Sequence, residues 1–424
     1  MSKINIAPLR VRDFRVAIAS LAISVFGDGL TTVAVAFAVL DTTGSVSDLG
    51  FVLSAGVVAQ AGLLLVGGAI ADRFQRNKVM AFAQLASGAC QGTLACLLLI
   101  GQARLWAMMA AYAGLGCAQA MFRPATTGLV QELVAASDLP AANGLLSIAQ
   151  SGAFILGPAL GGVVVAVGKP GIAIAIDAAT FVVSAVMLLR LNTTRRRSAT
   201  GGSSLLGDLR EGWAVVRSRD WVSGSIVLFG VFQFAVLGGL GVLGPLLARS
   251  RLGGPGVWGA MLSAAAVGAL AGGALALRWR PRRLLVAADV SVLGVVPVLV
   301  ALSLAAPKAW EIGAMLLYGC ATSYADALWM SAIQANIPAD KISRVSSYDW
   351  LGSTALYPLG LAVAGPVAAL IGASSELRAI AVVMVLGVAV LLSVPSVRRV
   401  GIPESTQENA EAIPAENSLV SGES

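Results

Sequence analysis

Ionisable side chains lie inside several long apolar stretches of this 424-residue chain, and three of them, Asp28, Arg123 and Asp326, could take part in proton or charge chemistry. The chain contains no histidine, so a proton held in an apolar region would have to be held by a carboxylate. Asp28 lies near the middle of the first stretch, and we expect it to bind and release a proton. The structural alternative is that its carboxylate hydrogen-bonds the hydroxyl of Thr31 or Thr32.

Arg123 and Asp326 carry opposite charges and occupy matching positions in two of these stretches. An ion pair between them would offset much of the desolvation cost that either charge meets alone. We expect the pair to form and break as a gate. The alternative is that each side chain extends separately to a polar surface.

The composition indicates which elements must position these residues. Hydrophobic residues make up 57% of the chain and charged residues 12%, whereas soluble domains carry about 25% charged residues. Apolar stretches of about 20 residues, long enough to cross a membrane as helices, recur throughout. We therefore predict an all-α integral membrane protein with twelve transmembrane helices. The predicted spans are 14–40, 46–70, 79–100, 105–130, 143–168, 171–191, 221–247, 257–277, 284–306, 309–332, 345–371 and 376–395.

Loop charges predict the orientation in the membrane. An even number of spans places both termini on one side, and 22 of the 29 Lys and Arg residues fall on that side. The positive-inside rule identifies it as cytoplasmic. The net charge of +7 therefore indicates contact with anionic lipid headgroups and does not argue for nucleic acid. The four cysteines lie within spans without a CxxC pair, so we expect no metal, cofactor or disulfide site.

The two halves of the chain resemble each other at an offset of about 204 residues. The tripeptide GGA at 67–69 returns at 272–274, each time before a basic loop. Two parallel six-helix bundles are therefore predicted. The expected domains are residues 1–191 and 221–397, a cytoplasmic linker at 192–220 that contains an amphipathic helix, and a disordered tail at 398–424.

The segment GGAIADRFQRNK at 67–78 resembles the signature loop between helices 2 and 3 of the major facilitator superfamily. The matching residues are Gly68, Asp72, Arg73, Arg76 and Lys78. The resemblance covers nearly the whole chain apart from the tail, and it implies that this loop is a latch on the cytoplasmic side. The second copy departs from the pattern, because Leu277 replaces the acid and Pro281 the central arginine.

A second motif, GPALGG at 157–162, resembles the helix-5 motif of proton-coupled antiporters. The matching residues are Gly144, Gly157, Pro158, Gly161 and Gly162, while Ala153 replaces one glycine. This motif and other short segments also resemble bacterial exporters of the macrolide-efflux and enterobactin-export type. Glycines let helices approach closely, so ordinary packing is the alternative interpretation.

The resemblance implies a function and a cavity lined by helices 1, 4, 7 and 10. Asp28 falls on the first of these, and Gln233, Tyr324 and Trp329 on the others are expected to contact a planar or amphipathic cargo. The implied activity is export of a small amphipathic compound, such as an antibiotic or siderophore, by proton antiport and without enzymatic chemistry. A nutrient importer or facilitator is the alternative, and a transporter-like sensor or scaffold is a third possibility.

The expected partners follow from the same resemblance. They are a small-molecule substrate, protons and membrane lipids, with no nucleotide. The protein is expected to be a monomer in a bacterial cytoplasmic membrane.

Overall fold

The computed structural model describes residues 6–191, 213, 216–279 and 281–400, and the regular structure in these ranges is helical. The main helices of the first half are α1 (Arg12–Thr43), α2 (Val46–Arg73), α3 (Arg76–Leu99), α4 (Leu105–Leu133), α5 (Leu139–Val167) and α6 (Pro170–Leu189). Those of the second half are α7 (Asp220–Leu252), α8 (Pro255–Arg278), α9 (Leu284–Leu304), α10 (Lys308–Asn336), α11a (Ala339–Thr354), α11b (Tyr357–Ile371), α12 (Ala373–Ser393) and the short α13 (Pro395–Arg399).

Helices α1 and α2 show how the chain reverses direction between spans. Gly44 ends α1 in the left-handed conformation, with φ +67°, which glycine adopts without a Cβ penalty. The Ser45 hydroxyl then accepts a hydrogen bond from the Asp48 amide at 3.2 Å and caps α2. Gly44 and Ser45 therefore end one helix and begin the next within a two-residue turn.

Ten of the described helices are long and apolar enough to cross a membrane, whereas the sequence predicts twelve spans. The tenth predicted span corresponds to α10, which carries Lys308, Glu311 and Asp326. The eleventh is divided into α11a and α11b, and the break precedes Pro358, whose missing N–H cannot bond to the carbonyl of Thr354. Both pack within the bundle, α10 against α8 and α11b against α2 and α7.

The packing of the two halves repeats. Gly67 of α2 lies against the main chain of Ala120 on α4, and Gly272 of α8 lies against the main chain of Cys320 on α10. Helix α1 packs on α5 and α6 just as α7 packs on α11b and α12. The predicted fold class, twelve helices in two parallel six-helix bundles, is confirmed.

The two ends of the bundle differ in their contacts between halves. We call the end that holds the start of α1 and the α2–α3 loop the terminal face, and the other end the opposite face. Ser54 donates a hydrogen bond to the Pro358 carbonyl at 2.5 Å, and Ser263 donates one to the Ile155 carbonyl at 2.6 Å. Ser54, Ile155 and Ser263 lie on the opposite-face side of the midpoints of their helices, so the halves are joined on that side.

Helix α7 is not a regular α-helix. Two π-helical segments interrupt it, Phe232–Leu237 and Ala248–Leu252. Such segments insert an extra residue into a turn and recur at functional sites. The first of them carries Gln233.

Most of the predicted linker and the predicted tail lie outside the described residues. At the end of the linker, the Trp213 ring lies 5.7 Å from the Tyr348 ring of α11a, and Val216 is buried. The amphipathic helix and the disordered tail remain predictions.

Candidate functional site

A cavity of about 980 Å³ lies between the two halves. Helices α1, α4 and α5 form a polar wall, and α8 and α10 form a wall that is mainly of small apolar residues. The polar wall includes Ser24, Asp28, Gln119, Arg123, Ser147 and Gln150. The cavity occupies the middle of the bundle and its terminal-face side, because the halves meet on the opposite-face side.

Asp28 lies halfway along α1 and lines this main cavity. Within the described residues, no hydrogen-bond donor contacts its carboxylate. The Thr32 hydroxyl donates instead to the main-chain carbonyl of Asp28 at 2.8 Å. The structural alternative, in which a neighbouring threonine holds the carboxylate, is therefore not what the structure shows.

Thr31 holds a different acid. Its hydroxyl donates to Asp177 Oδ2 at 2.7 Å, and the Thr180 hydroxyl lies 3.3 Å from Asp177 Oδ1. Asp177 is fully buried between α1 and α6. This carboxylate joins two helices of the first half and does not line the main cavity.

Arg123 and Asp326 do not meet in this structure. Arg123 lines the main cavity with Asp28, and its positive charge acts on that carboxylate. Asp326 lines a second, smaller cavity, and in the described part of the chain it forms no ion pair with Arg123. Each residue lies ten positions before the end of its helix, at Leu133 and Asn336, so their equivalent depth agrees with the sequence repeat.

The smaller cavity, which we call the side chamber, has a volume of about 280 Å³ and lies within the second half. It is enclosed by α7, α9, α10 and α11a. Tyr318 and Thr322 line both this chamber and the main cavity. The two spaces are therefore neighbours that share a wall on α10.

Two of the three predicted cargo contacts line the side chamber. Gln233 reaches it from the π-helical segment of α7, and Trp329 reaches it from α10. The indole of Trp329 donates to Asp349 Oδ2 at 2.9 Å, so Asp349 serves as an acceptor beside the chamber.

Tyr324, the third predicted contact, lines neither of these spaces. Its hydroxyl donates to the Trp279 carbonyl at 3.3 Å, and the two rings stack with centroids 5.9 Å apart. Tyr324 and Trp329 are five residues apart on one helix, which turns them about 140° from each other. They cannot face the same space.

The predicted latch is held to helix α4 of its own half. Arg76 Nε lies 3.5 Å from Glu132 Oε1, and the guanidinium rests on Gly128, where a Cβ would overlap it. Arg73 and Lys78 are exposed, and Gly68 has open space around it. The side chain of Asp72 lies outside the described part, so its latch role stays a prediction.

The corresponding loop of the second half uses aromatic packing. The stacked pair of Trp279 and Tyr324 joins the end of α8 to α10. In the first half, the loop contacts α4 through the Arg76–Glu132 ion pair. The two loops therefore differ in their contacts as well as in their sequences.

The helix-5 motif lies at a three-helix contact. A Cβ at Gly157 would lie 2.8 Å from Gly29 Cα of α1, and a Cβ at Gly161 would lie 2.9 Å from Leu30 Cα. Gly162 faces α8, where a Cβ would lie 3.1 Å from Gly256 Cα. Pro158 is buried beside Gly29, whereas Gly144 has nothing within 4 Å. The motif therefore lets α5 touch both α1 and α8.

The sequence analysis missed two polar clusters. Gln84 of α3 donates to Ser24 at 2.9 Å and to Ser184 at 3.0 Å, which joins α1, α3 and α6 behind the main cavity. Arg249 pairs with Asp41 at the opposite face. Gln84 is an amide inside an apolar span, and this could have indicated the first cluster from the sequence. No local pattern indicates the second cluster, because Asp41 and Arg249 are distant in the sequence.

Across the described ranges, no three His, Cys, Asp or Glu side chains lie close enough together to hold a metal ion.

Comparisons with known proteins agree with this architecture. Residues 17–354 match the Major Facilitator Superfamily. A segment of 175 residues is 29% identical to the uncharacterized MFS-type transporter YfiS of Bacillus subtilis (strain 168), and it spans 41% of each chain.

Solved structures share the fold at low sequence identity. The nucleoside transporter NupG aligns with TM-score 0.73 and 14% identity over 90% of this chain and 98% of its own. A bacterial homologue of the human lysosomal transporter Spinster, inward-facing and unoccupied, aligns with TM-score 0.72 and 14% identity over 93% and 98%. A D-xylose–proton symporter aligns with TM-score 0.68 and 14% identity over 92% and 98%. The chain is a multi-pass membrane protein that belongs to the Major Facilitator Superfamily of transporters.

Proposed function

We propose that this protein is a secondary active transporter that exports a small amphipathic compound by proton antiport, with Asp28 as the proton-binding group. The observation that carries the proposal is the position of the Asp28 carboxylate. It lies halfway along α1, in the cavity between the halves, with no hydrogen-bond donor among the described residues. Asp177, the acid buried between α1 and α6, is satisfied by two threonines.

A carboxylate without a hydrogen-bond donor in the membrane interior favours the exchange of a proton for cargo. A charged Asp at the centre of a bilayer costs about 2.5 to 3.5 kcal/mol on insertion scales, so Asp28 gains from any proton or cargo contact that compensates its charge. If the two compete for it, cargo release accompanies proton uptake. One proton crossing 100 mV supplies about 2.3 kcal/mol, which supports roughly fiftyfold accumulation.

The conformation is suited to receiving cargo from inside the cell. We assign the terminal face to the cytoplasm, because most Lys and Arg residues of the loops lie there. The halves are joined on the opposite-face side, so the cavity belongs to the cytoplasmic side. We propose that Arg123 and Asp326, which lie at equal depth on α4 and α10, approach when this side closes.

Exchanging the charges of Arg123 and Asp326 tests the gate directly. Arg123→Asp and Asp326→Arg should each impair transport, and the double variant should recover it because the opposite charges are restored. A double variant no better than the single ones would exclude the pair.

The export direction is supported by the helix-5 motif and by the resemblance to exporters of the macrolide-efflux and enterobactin-export type. The motif glycines hold α5 against α1 and α8, and so lie at the junction of the two halves. This placement suits a role in the conformational change that carries the cargo across the membrane.

The test uses a pump-deficient bacterial host and purified protein in proteoliposomes. Cells that express the wild type should accumulate less ethidium and tolerate more erythromycin, and Asp28→Asn should abolish both effects. Asp13→Asn, at the start of α1 and outside the cavity, is the matched control and should behave as wild type. Export that survives Asp28→Asn, or that persists after the proton gradient is collapsed, would refute the mechanism.

A polar cargo taken up by the cell is the second candidate. The polar wall of the main cavity, with Gln119, Gln150 and several serines, favours a hydroxylated compound, and the structural relatives include proteins named for nucleosides and D-xylose. Uptake of radiolabelled uridine or xylose by proteoliposomes, with no ethidium export, would favour this candidate. A sensor or scaffold would give no flux with any probe.

A further inference from the structure

The side chamber combines aromatic walls with negative charge. Two ring pairs line it: Phe232 stacks on Tyr318 with centroids 6.5 Å apart, and Phe229 lies 5.9 Å from Trp329. Asp326 and Asp349 supply carboxylates to the same space. None of the described residues that line it is basic.

The polar groups of the chamber are arranged as acceptors. The Trp329 indole fixes Asp349 from one side. Asp326 is exposed within the chamber and has no partner among the described residues. The side-chain oxygen of Gln233 is buried without a hydrogen-bond partner in the described part, and the π-helical segment of α7 presents this residue to the chamber. A ligand here must therefore bring positive charge or N–H donors.

Aromatic faces beside carboxylates bind organic ammonium groups. A cation over a ring face is attracted by the ring quadrupole, and this attraction strengthens when the site excludes water. An anion would be repelled by the carboxylates, and a neutral sugar would leave the charge of Asp326 uncompensated. The chemistry of the chamber thus selects a cationic nitrogen.

The volumes suggest how a larger cargo would be held. At about 280 Å³ the side chamber is smaller than a typical site for a drug-sized molecule, whereas the main cavity holds about 980 Å³. Tyr318 and Thr322 border both spaces. The chamber is therefore sized for a small ammonium group, and the main cavity beside it has room for a larger molecule.

We propose that the side chamber lined by α7, α9, α10 and α11a binds the ammonium group of an organic cation, with Asp326, Gln233 and the surrounding rings as its ligands. This inference rests on the proposed transport function, because it names the class of cargo that the transporter would carry. It does not depend on the direction of transport or on proton coupling.

The test is equilibrium binding to the purified full-length protein in detergent, without any gradient. The probe is choline, and the control ligand is 3,3-dimethylbutan-1-ol, which has the same shape and no charge. Choline should bind and the alcohol should not. Asp326→Asn should weaken choline binding about tenfold or more, and Asp326→Glu should recover part of it. Phe229→Leu should weaken it about five- to tenfold, the expected size of one cation–π contact.

Glu311→Gln is the matched control, since Glu311 lies on the same helix and does not line the chamber. It should leave choline binding unchanged. Equal binding of the alcohol, no effect of Asp326→Asn, or a loss caused by Asp28→Asn instead would overturn the proposal. Displacement of choline by Mn²⁺ at equal concentration would overturn it as well, because it would indicate a metal site.

The two proposals fail separately. If Asp28→Asn abolishes proton-coupled export but choline does not bind, the ammonium site is wrong and the proposed function stands. If choline binds through Asp326 but no export occurs, the proposed function is wrong and the site stands.

Discussion

The Arg249 guanidinium binds Asp41 and thereby joins α7 to α1 at the opposite face. Its Nη2 lies 2.9 Å from Asp41 Oδ1, and its Nη1 donates to the Leu40 carbonyl at 2.7 Å. The two helices belong to different halves, so this pair bridges the interface that must part when the opposite face opens.

Asp41→Asn should shift the conformational equilibrium toward opening of the opposite face. Both side chains are about half exposed, so we expect a modest effect of about 0.2 to 1 kcal/mol, which is up to about a fivefold change in population. Spin labels at Gln102 and Ala309, in a background without the four native cysteines, would report longer distances between the halves. Arg251→Gln is the control, since Arg251 bonds Ser374 within the second half. An unchanged distance distribution for Asp41→Asn would show that the pair does not hold this face closed.

Alanine substitutions at Asp177 and at Asp28 should distinguish a structural carboxylate from a functional one. Asp177→Ala leaves the buried Thr31 hydroxyl without its acceptor, and it should destabilise the protein by about 1 to 3 kcal/mol. Asp28→Ala removes a carboxylate with no described donor, and it should leave thermal stability nearly unchanged while abolishing proton-coupled transport. Thermal unfolding of the detergent-purified variants compares the two. A larger stability loss for Asp28→Ala than for Asp177→Ala would contradict these roles.

Substitution by alanine should destabilise the protein at Gly157 but not at Gly144, although both glycines belong to the helix-5 motif. At Gly157 a Cβ would meet Gly29 Cα at 2.8 Å and the Phe26 carbonyl at 2.7 Å, so Gly157→Ala must push α1 and α5 apart and should cost about 1 to 3 kcal/mol. Gly144 has nothing within 4 Å, so Gly144→Ala should have little effect on stability. Melting temperature and transport rate are the measurements. Equal tolerance at both positions would mean that the α1–α5 contact is not tight.

Gly128→Ala should disturb the latch by displacing Arg76. The new methyl group would overlap the guanidinium that rests there and pull it away from Glu132. If so, Gly128→Ala and Arg76→Ala should have similar effects on stability, and the double variant should be no worse than either, because both act on one contact. Gly62→Ala, at a position with open space, is the control. Additive effects would show that the two residues act independently.

The helical layout could be predicted closely from the sequence. The second span, predicted at 46–70, is α2 at Val46–Arg73, and the eighth, predicted at 257–277, is α8 at Pro255–Arg278. Hydrocarbon thickness fixes the length of such helices, and charged residues mark their ends. The π-helical segments of α7 were missed, because one extra residue in a turn leaves no mark in an apolar run.

The site could be predicted only in part. Asp28, Gln233 and Trp329 each line one of the two spaces between the helices, as their places on the spans predict. Tyr324 was placed wrongly, since the rotation of α10 turns it toward Trp279. That rotation depends on how α10 packs against α8, which the sequence of α10 alone does not contain.

By itself the sequence determined that the chain crosses a membrane many times, that its two halves repeat, and that acids lie within the spans. It could not distinguish Asp28 from Asp177, because each is one carboxylate in an apolar run with threonines nearby. The tertiary structure decided between them. Packing of α1 on α6 brings Thr31 to Asp177, and separation of the halves leaves Asp28 facing the cavity. A buried carboxylate is structural or reactive according to the donors that surround it, and those donors come from other helices.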